Sequence, residues 1–327
     1  MNIRDRRAIG DTAANALSHS ENARQIVLVY GLICCGLSLA GTILSALLGD
    51  RISGTGGLGN IGLRSILSTG QSVLPLITLL VTACLSLGYH TVMLCYTRGF
   101  DASIHTLMSG FRYFGAIIRT ILLQAAVYIG AGFIAMQISS YIFMATPFAA
   151  EFTAVMEPVL SSMTVMDTGL VLDEATLLAA VDAMIPMLWI LLAVCLVLMV
   201  PLHYRFRMVN FCLADDPRLG ALHALGKSRR MMRRNCFQLF RLDLTLWWFY
   251  AAQLVASLVC YGDILLPMAG ITLPWSGDVS YYLFLVLSLL IQMALYYFGM
   301  NRAFSIYAVA YDVLQEDLPK SDLPVQM

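Results

Sequence analysis

The sequence predicts an all-α, polytopic membrane helical bundle of about six transmembrane helices, and three observations carry that prediction. Hydrophobic residues make up 59% of the 327 residues and charged residues only 12%, whereas a soluble domain carries about 25% charge. Mean hydropathy is +0.76. Six apolar runs, about 26–48, 73–96, 114–145, 184–208, 243–267 and 280–303, are each long enough to cross a hydrocarbon core of about 30 Å as a helix. With 20 Lys+Arg against 20 Asp+Glu there is no basic excess. A soluble globular enzyme, a disordered chain and a nucleic-acid binder are all excluded on these grounds.

The first run, Ile26 to Leu48, is too long for a signal-peptide core and is followed by no A-x-A-like cleavage site, so it reads as a retained span behind a cytoplasmic segment, 1–25. The third run exceeds the length needed and is expected to tilt or overrun the interface before Pro147 stops it. The fourth carries Pro186 in its first turn and Pro201 near its far end, where a kink is expected. The membrane domain is read as 26–318 and the cytoplasmic tail as 319–327.

Orientation follows from Lys and Arg. With six spans and both termini in the cytoplasm, 18 of the 20 basic residues fall inside and only Arg51 and Arg64 fall outside. The outer loop 49–71 is Gly-rich and expected to be irregular. The outer loop 146–183 has six acids and no Lys or Arg. Within it Phe148, Phe152, Val155, Met156, Val159 and Met163 recur at helical spacing, which predicts a short amphipathic surface helix. Asp173 is placed as an N-cap leading into the fourth span. Trp247, Trp248, Tyr250, Trp275, Tyr281 and Tyr282 read as interfacial belts.

The segment 201–248 concentrates the charge. Asp216 before Pro217 predicts a helix start, and residues 217–236 then form a basic amphipathic surface helix. Leu219, Leu222, Leu225, Met232, Cys236 and Leu239 make its apolar face, and Lys227, Arg229, Arg230, Arg233 and Arg234 crowd the rest. Such a helix anchors topology and is expected to contact anionic lipid headgroups or an acidic partner protein. A weak echo relates 102–112 to 220–230, matching His105 with His223, Leu107 with Leu225 and Arg112 with Arg230. If it reflects a repeat, the bundle is built from two units of span, surface helix, span. Intramembrane polar residues are few: His90, Gln124, Gln137, Gln253 and Gln292. Asp243 and Arg302 lie at matching depth, at the inner ends of spans five and six, and are expected to form a structural ion pair.

The eight cysteines lie in or beside apolar runs, with no C-x-x-C and no Cys/His cluster at metal spacing. No H-E-x-x-H, G-x-S-x-G or P-loop is present. The sequence therefore points to no catalytic residue, cofactor or metal.

Three further motifs carry a resemblance. They are Ser228 to Met232 in the basic helix, Leu242-Asp243-Leu244-Thr245 with Trp248 nearby, and Ala308-Val309-Ala310-Tyr311-Asp312-Val313-Leu314; Arg98-Gly99-Phe100 and the Arg-rich N-terminus accompany them. This pattern resembles a bacterial multi-pass membrane family catalogued as domain of unknown function 975. Arg234 stands where that family usually has Gly, and Ala310 where it often has an aromatic residue. The resemblance implies an all-helical protein of the bacterial cytoplasmic membrane with no assigned activity. Two readings of function remain: a non-enzymatic membrane protein whose basic inner surface engages anionic lipid or a partner, and a small-molecule transporter or transporter subunit.

Overall fold

A computed structural model of the chain describes residues 3, 5–20, 22–54, 61–164, 174–268 and 277–316. Every regular element among them is helical: α1 (Arg6–Ser18), α2 (Ala23–Gly54), α3 (Ile61–Thr97), α4 (Ile104–Arg112), α5 (Phe114–Met144), α6 (Phe148–Thr164), α7 (Glu174–Phe206), α8 (Val209–Asp215), α9 (Ala221–Met232), α10 (Cys236–Asp243), α11 (Trp247–Cys260), α12 (Gly262–Met268), α13 (Gly277–Leu295) and α14 (Asn301–Glu316). A 3-10 turn, Leu244–Leu246, joins α10 to α11, and a π-helical turn, Tyr296–Met300, joins α13 to α14. Among the described residues six helical stretches are long and apolar enough to cross a membrane: Ala23–Leu48, Gln71–Thr97, Phe114–Met144, Asp182–Asp215, Cys236–Cys260 and Val279–Glu316. Each predicted span overlaps one of them, the fifth only over 243–260. Helices satisfy every backbone N–H and C=O within the segment, which hydrocarbon demands.

The chain forms two compact units, residues 1–120 with 207–327, and residues 121–206. In the smaller one, α5 and α7 approach where the Met199 methyl lies 3.5 Å from the position a Cβ would take on Gly132, and the Tyr128 and Phe206 rings meet edge to face. Phe143 of α5 packs likewise on Phe152 of α6. The most apolar windows of α5 and α7 are 6% and 0% buried. Leu, Ile and Phe exposed in that way suit a lipid solvent, where packing and not the hydrophobic effect holds helices together.

The larger unit has the buried core, and α14 is its centre: 11 of its 16 residues are buried. Tyr89 of α3 is fully buried and donates to Asn301 Oδ1 at 2.7 Å, while Asn301 Nδ2 donates to the Ala23 carbonyl at 3.2 Å. One buried amide thus ties α14 to α2 and α3, and both its polar atoms are satisfied. α4 folds back on α3 through two glycines. A Cβ on Gly88 would lie 1.8 Å from the Leu107 carbonyl oxygen, and one on Gly110 would lie 1.9 Å from that of Cys84. The two backbones touch, so no other residue fits either position. In the echo segment Leu107 and Leu225 are both buried, but Ser228 takes the place of Gly110, and α9 packs on α8.

Several expectations are corrected. The Gly-rich segment 49–71 is helical up to Gly54 and again from Ile61, because extending α2 and α3 keeps backbone hydrogen bonds internal. The predicted helix 217–236 is two helices, α9 and α10, with Gly220 and not Asp216 at the first N-cap. Asp216 Oδ1 instead accepts from the Arg218 N–H at 3.1 Å, closing a local turn. Span five breaks at Tyr261 into α11 and α12, and span six runs on to Glu316. The amphipathic segment at 148 is helical, as α6; Asp173 lies outside the described residues. α7 starts at Glu174, ten residues before the expected span, and stays helical through Pro186 and Pro201.

Candidate functional site

The polar chemistry of the larger unit gathers where α3, α8, α9 and α10 meet α14. α3 ends in a glycine cap: the Phe100 N–H donates to the Cys95 carbonyl at 2.9 Å and the Gly99 N–H to that of Tyr96 at 3.1 Å. Gly99 has φ +77°, the left-handed conformation this cap requires. The turn places Arg98 just past the last helical residue, Thr97, aimed at two carboxylates. Its Nη1 lies 2.7 Å from Asp215 of α8 and its Nη2 2.7 Å from Asp312 of α14. Partial burial alone would lower the pKa of this guanidinium; hydrogen bonds to Asp312 and Asp215 outweigh it and hold the group above its ordinary value. Arg98 is therefore a fixed charge.

Asp215 is shared. Its Oδ2 accepts from Tyr311 Oη at 3.0 Å and Gln315 Nε2 at 3.3 Å, and lies 3.6 Å from Lys227 Nζ. Lys227 also donates to Tyr311 Oη at 3.1 Å. Phe211 stacks on the Tyr311 ring and shields this side of the cluster. A second cluster surrounds Asp243. Tyr307 Oη donates to its Oδ1 at 2.6 Å, and Arg207 Nη2 stands 3.8 Å from its Oδ2. Arg207 donates to Tyr307 Oη at 2.9 Å, and Tyr250 closes the group by hydrogen bonds to Arg207 and Tyr307. Tyr307, Tyr311 and Gln315 recur every four residues, so one stripe of α14 serves both clusters.

Two expectations about the site are corrected here. Lys227 does not face a lipid surface: its side chain is 11% exposed and belongs to the Asp215 cluster. It falls in the buried stripe Ala224, Ser228 and Met231 of α9, where a cation needs an internal partner. Arg302 does not pair with Asp243, whose partners are Arg207 and Tyr307. At about 100° per residue, Arg302 and Tyr307 lie about 140° apart around α14 and cannot both face Asp243. Arg302 is exposed on another side, in a crevice against α1.

Arg229, Arg230, Arg233 and Arg234 are all exposed. They flank an apolar stripe that continues down α10 into α11: Phe237, Phe240, Leu244 and Trp247 are 69%, 41%, 53% and 66% exposed. The opposite face, Leu239, Leu242 and Leu246, is buried. Among the described residues no group of three or more His, Cys, Asp or Glu is placed to hold a metal ion.

Sequence reasoning missed Arg98, Arg207, Asp215, Tyr250, Tyr307, Tyr311 and Asp312 as members of one network. The polar stripe Tyr307, Tyr311, Gln315 at four-residue spacing was the available signal, and it lies beyond the point where the sixth span was ended.

Among the described residues, six helices long and apolar enough to cross a membrane, an all-helical architecture and a polar network gathered at one end of the larger unit define a polytopic α-helical membrane protein. Residues 21–304 match the family described as "Protein of unknown function (DUF975)", and the chain belongs to that family. The matched region takes in Arg98, Asp215, Lys227 and Asp243 and stops before Ala308–Leu314. No curated protein and no solved structure matches the chain.

Proposed function

We propose that this is a non-enzymatic protein of the bacterial cytoplasmic membrane whose basic end faces the cytoplasm and engages anionic lipid headgroups through Arg229, Arg230, Arg233 and Arg234. Charge balance supports the reading. The three carboxylates Asp215, Asp243 and Asp312 are matched within the network by the three cations Arg98, Arg207 and Lys227. The network is neutral, so these acids leave the field of the four outward arginines intact. Beside them the exposed stripe from Phe237 to Trp247 is amphipathic in the way of a helix lying at headgroup depth. Each cation near an anionic leaflet gains about 1 kcal/mol, less with salt, so four supply at most about 4 kcal/mol.

The test is the lipid that accompanies the purified full-length chain. Phosphatidylglycerol is expected to be enriched over its bulk share, and R229Q/R230Q/R233Q/R234Q is expected to lower the enrichment. An unchanged lipid ratio overturns the reading; an acidic protein co-purifying in place of lipid redirects it to a partner surface.

A second reading, transport of a small molecule, is favoured by one cavity of about 990 Å³ between α2, α3 and α13. Ser38, Thr42, Ser45, Gln71, Thr78 and Thr82 line it, and Pro75 interrupts the α3 hydrogen-bond ladder beside them. Uptake of a solute by vesicles holding the chain, abolished by T78V/T82V, would establish this reading.

A further inference from the structure

We propose that the crevice between α1, the segment Leu242–Leu246 and α14 binds the phosphate group of an anionic glycerophospholipid through Arg6, Arg7 and Arg302. The crevice has a volume of about 610 Å³, inside the range of ligand pockets, about 300–1,000 Å³. Arg7, Gly10, Asp11 and Ala14 recur at helical spacing, so one face of α1 forms one wall. Leu242, Leu246 and Ile306 supply an apolar floor opposite.

The charges are arranged for an anion. Three guanidiniums and the two carboxylates Asp5 and Asp11 line the crevice, which leaves one net positive charge, the complement of a single phosphodiester. Asp5 is already engaged as the N-cap of α1, accepting from the Ala8 N–H at 3.2 Å. Among the described residues no ion pair joins Arg6, Arg7 or Arg302 to either carboxylate. Planar guanidinium forks match phosphate oxygens in pairs, which a point charge does not.

A second observation concerns how Arg302 reaches the crevice. The π-helical turn Tyr296–Met300 ends one residue before α14 begins its α-helical course at Asn301 and Arg302. The wider turn rotates less per residue than an α-helix, so the whole of α14 lags in phase behind a straight continuation of α13. After that turn, Arg302 lines the crevice against α1, while Tyr307, about 140° further round the same helix, reaches Asp243. Such turns inside long helices are frequent at functional sites. The apolar floor favours a phosphate that carries glycerol and acyl chains over a free one. The inference rests on the basic end lying at headgroup level, as proposed above, but it concerns one discrete site and not a diffuse surface.

The test uses the full-length chain in nanodiscs of phosphatidylcholine with a minor share of phosphatidylglycerol. The protein is transferred to mild detergent, and native mass spectrometry counts the phosphatidylglycerol it retains. The parent is expected to hold one molecule, with retention weakened about tenfold or more in R302Q, the loss of one charge-assisted hydrogen bond. G10L is expected to weaken it as well. A Cβ on Gly10 meets nothing within 4 Å, so Leu there fills the crevice and leaves every charge and the fold in place, which a melting curve verifies. Retention at the parent level in both R302Q and G10L overturns the site. Loss in R229Q/R230Q/R233Q/R234Q alone overturns it too, and leaves the surface reading standing. Loss in R302Q and G10L alone supports the site and removes the surface reading. Displacement of the retained lipid by millimolar glycerol phosphate overturns the lipid assignment and gives the pocket to a soluble phosphate ester; persistence of the lipid supports it.

Discussion

Replacing Asp215 by Asn removes the one carboxylate that two cations share. Arg98 loses a contact of 2.7 Å but keeps Asp312, and its side chain is 35% exposed, so this half of the loss is small, about 0–1 kcal/mol. Lys227 is the costly half. Its side chain is 11% exposed, and without Asp215 it keeps the hydroxyl and the ring face of Tyr311 but no carboxylate. Removing one partner of a buried pair costs about 3–5 kcal/mol, and the surviving hydroxyl contact trims that to about 2–4 kcal/mol. Lys227→Met takes away the stranded cation, so the double variant is expected to recover about 2 kcal/mol relative to the sum of the singles. Denaturant unfolding of the purified chain in mixed micelles, followed by tryptophan fluorescence, measures all four corners of the cycle. If the two substitutions add within about 0.5 kcal/mol, Lys227 and Asp215 are not coupled and the reasoning fails.

Other consequences follow from single contacts. Gly110→Ala drives a Cβ to 1.9 Å from the Cys84 carbonyl oxygen and is expected to cost about 3 kcal/mol, whereas Gly115→Ala meets open space and is expected to be neutral; melting temperatures of the two decide it. Asp243→Asn is expected to destabilise the chain by about 2 kcal/mol and Arg302→Gln by less than about 0.5 kcal/mol, the opposite of equal effects from a pair, read by the same unfolding assay. Gly99→Ala, at φ +77°, is expected to cost about 1–2 kcal/mol and to loosen Arg98 from Asp312, seen as faster amide exchange at the end of α3. A cysteine placed at Glu151 is expected to react with an impermeant reagent in intact cells and one at Arg229 to be protected; the reverse pattern inverts the orientation.

What the sequence made legible follows from the range of the forces involved. Spans were readable because a run of apolar residues carries its own evidence: the predicted 114–145 became Phe114–Met144. The amphipathic helix at 148 was readable for the same local reason. The network was not, because its pairs are distant in the chain: Arg98 and Asp312 are 214 residues apart and Lys227 and Tyr311 are 84 apart. Depth in the bilayer alone matched Asp243 with Arg302, but depth says nothing about the direction a side chain takes around its helix, and direction chose Arg207. Lys227 was grouped with its basic neighbours by proximity in sequence. Its place three residues after Ala224 and four before Met231 set it on the buried stripe, and that spacing was visible. Arg229, Arg230, Arg233 and Arg234 remain outward, as expected of a basic surface helix.

The central claim is that the basic end prefers anionic headgroups because the three carboxylates of its network are internally matched while Arg229, Arg230, Arg233 and Arg234 face outward. Electron spin resonance with headgroup-matched spin-labelled lipids measures that preference directly, as the immobilised fraction of phosphatidylglycerol relative to phosphatidylcholine around the full-length chain. The account predicts a ratio well above one at low salt, falling as salt rises and falling towards one in R229Q/R230Q/R233Q/R234Q. A ratio of one for the parent chain at low salt would contradict it.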